Sequence, residues 1–319
     1  MKTESFTHYM SRIIEGLKSE ERYGTAYIYG YALKAFHKYR GKDNIPFSIF
    51  DKAEMKRFER YLLDNKRSWN TISTYFRALR AVYNRWMPPG TAEHNPRLFD
   101  DVYTGVVSQT KRALTARQME QLLEADLSGL SPQQQAVLAY FLLMFLLRGM
   151  PFIDLAHLRK RDMQDGRITY SRHKTDKPIT VRIPREALAL IAKYADRHSA
   201  SPYLFPILDA RIRDGWQSYR NYQDALRHFN RKLGQVMSRL LPGVRVSSYT
   251  ARHTWATLAF HSGQPVGIIS QALGHSSLRV TETYLKPFGN ELVDKANRQL
   301  IASVRKCKWK NETEYRAGL

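Results

Sequence analysis

Apolar residues recur at three- and four-residue steps through most of the first hundred positions, which predicts helices there. The clearest case runs from Asn70 to Trp86, where Ile72, Phe76, Leu79, Tyr83 and Trp86 share one helical face. Ser73, Arg77, Arg80 and Asn84 form a second, polar stripe at the same spacing. Pro88, Pro89, Gly90 and Asn95-Pro96 make a turn-rich patch that ends this helical region. The polar stretch Val102 to Arg112 is weakly periodic and reads as a linker. Helical patterning resumes after Leu114, with Thr115 as an N-cap for Ala116 to Glu124. The longest apolar run, Ala136 to Leu147, has twelve residues, too few to span a bilayer, and reads as a buried core helix.

One segment departs from the helical period. Ile168, Tyr170, Ile179, Val181 and Ile183 alternate around the polar turn His173-Lys174-Thr175-Asp176-Lys177-Pro178, which predicts a β-hairpin between Arg167 and Pro184. Helices return beyond it, punctuated by Gly234, Gly243, Gly263 and Gly274. The expected fold is mainly α with one small hairpin or sheet, and 319 residues suggest about two domains.

Charge narrows the class of partner. Fifty-one Lys and Arg against 29 Asp and Glu give a net charge of +22. Such self-repulsion in a compact chain points to a polyanion, nucleic acid before an acidic membrane surface. Residues 1–112 carry +8 and the remainder +14, so the charge belongs to both halves rather than to a tail. The stripe Ser73, Arg77, Arg80 and Asn84 holds residue types that contact phosphates and base edges, though a solvated basic face has the same pattern. The single cysteine, Cys307, excludes an intramolecular disulfide and a zinc-binding cysteine cluster. Met1 to Leu17 has no signal-peptide core, so a cytoplasmic protein is expected, associated with the nucleoid when bound to DNA.

The chemistry must come from cations. There is no phosphate-cradling Gly-rich loop, no dinucleotide fingerprint, no His-Glu-x-x-His and no clustered carboxylates for magnesium. Arg148 follows the apolar run directly, where a charge must be paired, for example with Asp154, or aimed at a ligand. Lys174 lies on the hairpin turn, either solvated or at a groove. Tyr249-Thr250-Ala251-Arg252-His253-Thr254-Trp255-Ala256-Thr257 reads as the start of a helix, with Tyr249 and Arg252 on one face and His253 and Thr257 on another. In Leu273-Gly274-His275-Ser276-Ser277, Gly274 suits a helix C′ position and Ser276 or Ser277 an N-cap, which sets His275 at a helix mouth that attracts anions. Tyr284 follows nine residues later.

In order and spacing, Arg148, Lys174, Arg252, His275 and Tyr284 resemble the signature of the phage-integrase family of tyrosine recombinases, which includes Xer-like enzymes and the integrases and invertases of mobile DNA. The resemblance covers most of residues 114–290. It implies a two-domain C-shaped clamp: a helical core-binding domain (1–103), a linker (104–113), a catalytic domain (114–290) and a C-terminal helix and tail (291–319) exchanged between protomers. An apolar stripe of Leu292, Val293, Ala296, Leu300, Ile301 and Val304 fits such an exchange, or packing on its own domain.

The implied reaction is site-specific recombination of double-stranded DNA by a homo-tetramer in synapsis, with no cofactor, no metal and no membrane. Tyr284 is the implied nucleophile, Arg148 and Arg252 the phosphate ligands, and Lys174 the acid for the departing oxygen. One departure stands out: the family's His-x-x-Arg reads Tyr249-Thr250-Ala251-Arg252 here. A tyrosine with pKa about 10 is a poor base at neutral pH. That leaves His275 as proton acceptor, or a reaction needing little base catalysis. A DNA-binding protein without the chemistry and a type IB topoisomerase are the rival readings.

Overall fold

The structure is a computed structural model that describes residues 4–107, 113–285, 294 and 297–302. It is mainly helical, with one small antiparallel sheet. The described chain divides into two compact units, one of residues 1–110 with Arg211–Gln223, the other of Lys111–Ala210 with residues 224–319.

The first unit is built on four helices, α1 (Phe6–Ser19), α2 (Tyr23–Arg40), α3 (Lys52–Asp64) and α4 (Trp69–Trp86). Each start but that of α2 has a side-chain cap, with Ser5, Asp51 and Ser68 accepting from the backbone N–H three residues on. Gly41, in the left-handed region at φ +62°, closes α2. Phe6, Phe36, Phe58 and Phe76 are fully buried, and Phe36 meets Phe6 and Phe58 edge to face at 5.6 and 4.9 Å. Two buried carboxylates brace this core. Glu54 accepts from Arg40 at 2.5 Å and Arg57 at 2.6 Å, while Glu59 accepts from Lys56 at 2.6 Å and the Tyr103 amide at 2.7 Å.

The predicted apolar face of α4 is the buried one: Ile72, Phe76, Leu79, Tyr83 and Trp86 all face the core. Its polar stripe is not one open surface, which corrects the reading of Ser73. α4 packs against α2 and α1, and Leu98, Phe99 and Val102 join the same core, so burial extends round to Ser73, Ala78 and Val82. Arg80 donates to the Phe99 carbonyl at 3.3 Å and stacks over its ring, and Asn84 meets His94 at 3.2 Å. Arg77 alone of the four is exposed.

The second unit holds α5 (Ala116–Leu123), α6 (Pro132–Leu146), α7 (Phe152–His157), strands β1 (Met163–Gln164), β2 (Arg167–Ser171) and β3 (Pro178–Arg182), and α8 (Arg185–Tyr194). Next come α9 (Gly215–Leu240), whose first turns belong to the other unit, then α10 (Ser248–His261), α11 (Val266–Leu273) and α12 (Leu278–Glu282). Thr115 caps α5 in a reciprocal capping box with Gln118, as Ser131 caps α6 with Gln134. Val137 to Met144 are all buried, so α6 is the core helix that its apolar run predicts. Around it pack α7, α8 and α10.

The predicted hairpin forms with Ile168 opposite Val181 and Tyr170 opposite Ile179. Gly243, Gly263 and Gly274 have positive φ, whereas Gly234 lies inside α9 and breaks nothing. Among the described residues no helix is long and apolar enough to cross a membrane. Of the C-terminal apolar stripe, Leu292, Val293, Ala296 and Val304 lie outside the described residues, as does Cys307; Leu300 and Ile301 are helical and exposed.

The buried Ser73 hydroxyl has no hydrogen-bond partner among the described residues. Leaving such a group unpaired costs about 1–3 kcal/mol. Ser73→Ala is therefore expected to hold or raise the urea midpoint of the protein, by the equivalent of about 1 kcal/mol. A fall in midpoint would mean that the hydroxyl is bonded.

Candidate active site

Arg252 is the centre of the site. The capping box of Ser247 and Thr250 starts α10 just before it, and the helix carries its side chain into the core, leaving it 2% exposed. Nη1 donates to the Gly149 carbonyl at 2.8 Å, and Nη2 to the Leu273 carbonyl at 2.6 Å and to Nε2 of His275 at 2.9 Å. Among the described residues Nε has no hydrogen-bond partner and no carboxylate is ion-paired with this guanidinium. Burial lowers its pKa, and the neighbouring Arg172 lowers it further, yet an arginine remains a cation.

Glycine at 149 makes this contact possible. Its φ of +67° disfavours any side chain, and a Cβ there would lie 3.2 Å from Arg252 Cα and 3.3 Å from both Arg252 Cγ and Leu273 Cδ2. Arg148 precedes it at φ +61°, a rare conformation for a residue with a side chain. These two left-handed residues turn the chain sharply after α6, and Met150 N–H bonds back to the Met144 carbonyl at 2.9 Å. The Arg148 guanidinium then lies beside β3, with Nη1 3.4 Å from the Thr180 carbonyl.

Asp154 is not the partner of Arg148. It pairs instead with Arg172, whose Nε is 3.1 Å from Oδ2, while Oδ1 accepts the His173 amide at 3.0 Å. Burial raises the carboxyl pKa of Asp154 against the lowering by that amide and by Arg172. Arg172 also donates to the Leu273 carbonyl at 2.5 Å, so two buried guanidiniums converge on one oxygen. Arg172 is absent from the sequence-derived set, although it continues the inward alternation of Ile168 and Tyr170. Lys174 stands exposed on the turn between β2 and β3, close enough for its charge to depress the pKa of His275.

His275 follows Gly274, which closes α11 at φ +67°. Because Arg252 can only donate, Nε2 of His275 must accept, and the ring proton sits on Nδ1, 2.8 Å from Thr281 Oγ1. Burial, then Arg252, Arg172 and Lys174, push its pKa down to about 4. Ser277 is the N-cap position of α12, but the helix has only five residues and no side-chain cap bond.

The Tyr284 ring fills the remaining side. The Arg252 guanidinium carbon lies 5.4 Å from its centroid, the His275 ring 4.9 Å and the His253 ring 4.8 Å. Tyr249 lies nearly parallel to it at 6.2 Å, the two hydroxyls 3.5 Å apart. Desolvation, then the Tyr284 hydroxyl, push the pKa of Tyr249 up to about 12. The fold thus brings Arg252, His275, Tyr249 and Tyr284 into contact, with Lys174 on the hairpin turn near His275 and Arg148, from the turn after α6, against β3. Two like-charged guanidiniums converge on the Leu273 carbonyl here and only Arg172 is ion-paired with a carboxylate among the described residues, an arrangement that attracts an anion.

Residues 112–291 match the phage integrase family, and residues 5–100 match the phage integrase SAM-like domain. The chain belongs to the phage integrase family. Among its relatives, the tyrosine recombinase XerA of Pyrococcus furiosus is 27% identical over 192 residues, covering 58% of this chain and 62% of the relative. The tyrosine recombinase XerC of Halalkalibacterium halodurans is 24% identical over 280 residues, covering 86% and 91%. The Tn1549 transposon integrase, solved in complex with a circular intermediate DNA, shares the fold at TM-score 0.61 and 14% identity, over 93% of this chain and 100% of that one. A lambda integrase dimer bound to a COC′ core site superposes at TM-score 0.60 and 16% identity, over 88% and 95%.

The depressed imidazole fixes a sign. The folded pKa of His275, about 4, lies below the ordinary 6.5, so between these values the unfolded chain binds the extra proton. This contribution is present above pH 6.5 and is lost as pH falls towards 4. Thermal melts are expected to show the unsubstituted protein losing stability relative to His275→Asn across that window. Parallel pH profiles would contradict a neutral, half-buried imidazole.

Proposed function

We propose that this protein is a site-specific recombinase that cuts and rejoins double-stranded DNA through a 3′-phosphotyrosyl bond to Tyr284. The observation that carries the reading is the buried Arg252, which among the described residues is ion-paired with no carboxylate and lies over the Tyr284 ring. A scissile phosphate fits this deficit of negative charge, and the +22 net charge favours its polyanionic carrier.

The Tyr284 oxygen attacks phosphorus and the bond to the 5′-oxygen breaks. The phenolic proton leaves to water, and Lys174 protonates the departing oxygen. A second 5′-hydroxyl then reverses the step on a new partner strand. Bond energy is conserved, so neither ATP nor metal is needed. Arg148 and Arg252 offer forked donors to the nonbridging oxygens as charge gathers there, and each such donor is worth about 10²–10³ in rate.

The geometry favours a reaction with little base catalysis. Nε2 of His275 already accepts from Arg252, and a pKa near 4 makes it a weak base. In this reading His275 orients Arg252, and Tyr249 donates a hydrogen bond near the phenolate. Residues 1–103 serve as core-binding domain and 114–290 as catalytic domain. Arg77 is the leading DNA contact on α4, with Arg80 and Asn84 beside it and Ser73 removed. Four protomers assemble on two sites, with residues 291–319 exchanged between neighbours; the exposed Leu300 and Ile301 suit that role.

Nicked duplexes from the flanks of the encoding gene, incubated without metal and run on a denaturing gel, are expected to give a covalent adduct. It should vanish in Tyr284→Phe and persist in Tyr249→Phe. Tight binding with no adduct on any flank would favour a DNA-binding protein without the chemistry. Lys174→Ala is expected to bind DNA yet cleave slowly, and a 5′-bridging phosphorothiolate, whose sulfur leaves without a proton, should restore its rate. Failure of that rescue would remove Lys174 as the acid.

A further inference from the structure

Tyr284 is gripped at its backbone as well as at its ring. Its carbonyl oxygen accepts from Thr257 Oγ1 at 3.3 Å and lies 3.4 Å from His253 Nδ1. A carbonyl can only accept, so His253 presents its ring proton on Nδ1. The same imidazole lies 4.8 Å from the Tyr284 ring at 32°, and 5.9 Å from that of Tyr249. His253 and Thr257 are four residues apart on α10, one turn of the same face, and Thr257 is buried.

We propose that His253 and Thr257 are positioning residues, which fix the nucleophile by holding the main-chain carbonyl of Tyr284 while the His253 ring sets its plane. The proposal rests on the strand-transfer reading above. Arg252 and His253 are consecutive, so one helix places both the phosphate-binding cation and the latch of the attacking residue. The relative position of Tyr284 Oη and the phosphate is thereby set within α10 rather than by the short α12, which has no side-chain cap of its own. Two hydrogen bonds and a ring contact constrain both the backbone and the torsions that aim the phenol. Misplacement of a reacting group by about 1 Å costs on the order of 10²-fold in rate.

The test separates placing the nucleophile from building the pocket. His253→Phe keeps a flat ring without a donor, Thr257→Val keeps the shape without the hydroxyl, and His253→Asn keeps a donor near Nδ1. Each is assayed on a nicked duplex for DNA affinity and for the single-turnover rate of adduct formation. The substitutions are also placed in a Tyr284→Phe background with hydrogen peroxide, whose hydroperoxide anion attacks phosphorus directly and expels the same 5′-oxygen.

The double variant His253→Phe with Thr257→Val is expected to form adduct about 10–100-fold more slowly. Its DNA affinity and peroxide cleavage should not change, and His253→Asn should recover much of the adduct rate. Equal losses in adduct formation and peroxide cleavage would overturn the positioning role in favour of one in pocket or fold. So would an unchanged adduct rate. An unsubstituted protein that forms no adduct would instead overturn the strand-transfer reading, and this proposal with it.

Discussion

Arg252 is the buried cation around which the second unit is assembled. Its two terminal nitrogens reach carbonyls from α11 and from the turn after α6, segments far apart in the chain. Removing a guanidinium from water is costly, and carbonyl dipoles recover only part of its hydration. The neighbouring backbone conforms to this requirement. Gly149 is left-handed and without a side chain because Arg252 occupies the space beside it. Gly274 ends α11 so that the Leu273 carbonyl is available and His275 follows within reach.

Electrostatic asymmetry follows from the same contacts. Arg172 has Asp154 at 3.1 Å, whereas Arg252 has no such partner among the described residues and shares the Leu273 oxygen with Arg172. Burial sets the state of the neighbours, with the cations adding to it at His275 and opposing it at Tyr249. His275 is driven to the neutral form with its lone pair committed to Arg252, which removes it as a base at neutral pH. Tyr249, with its pKa pushed up to about 12, stays protonated and can act only as a hydrogen-bonding group. Replacing a histidine by this tyrosine is therefore compatible with a site whose work is to stabilise charge rather than to abstract a proton.

What was legible in the sequence was local. The apolar face of α4, the hairpin, the Thr115 cap and the buried α6 all follow from periodicity and end signals within a few turns. The failures arise where a second surface intervenes. Ser73 sits on the polar stripe by spacing, but α4 is covered on more than one side. Gly234 resembles a break, yet the length and packing of α9 override its weak propensity. No local signal ties Arg211–Gln223 to the first unit, since that grouping is made by tertiary contacts.

The site was partly readable for the same reason. Arg148, Lys174, Arg252, His275 and Tyr284 stood out as a spaced set, while Arg172 and the carbonyl contacts did not. The pairing of Asp154 with Arg172 depends on how the hairpin folds over α7, which no linear spacing encodes. His253 and Thr257 were recognisable as sharing a face, but their common target, the Tyr284 carbonyl, lies about thirty residues away and exists only in the folded chain.

The missing counter-charge of Arg252 has a thermodynamic corollary. A site whose cations outnumber its anions carries a repulsion that a bound anion relieves. Ligand binding and local rigidity are then linked quantities, with the segments that meet at the Leu273 carbonyl tightening together as the anion arrives. Simple anions would act as weak surrogates, so ionic strength would soften or stiffen this corner of the molecule.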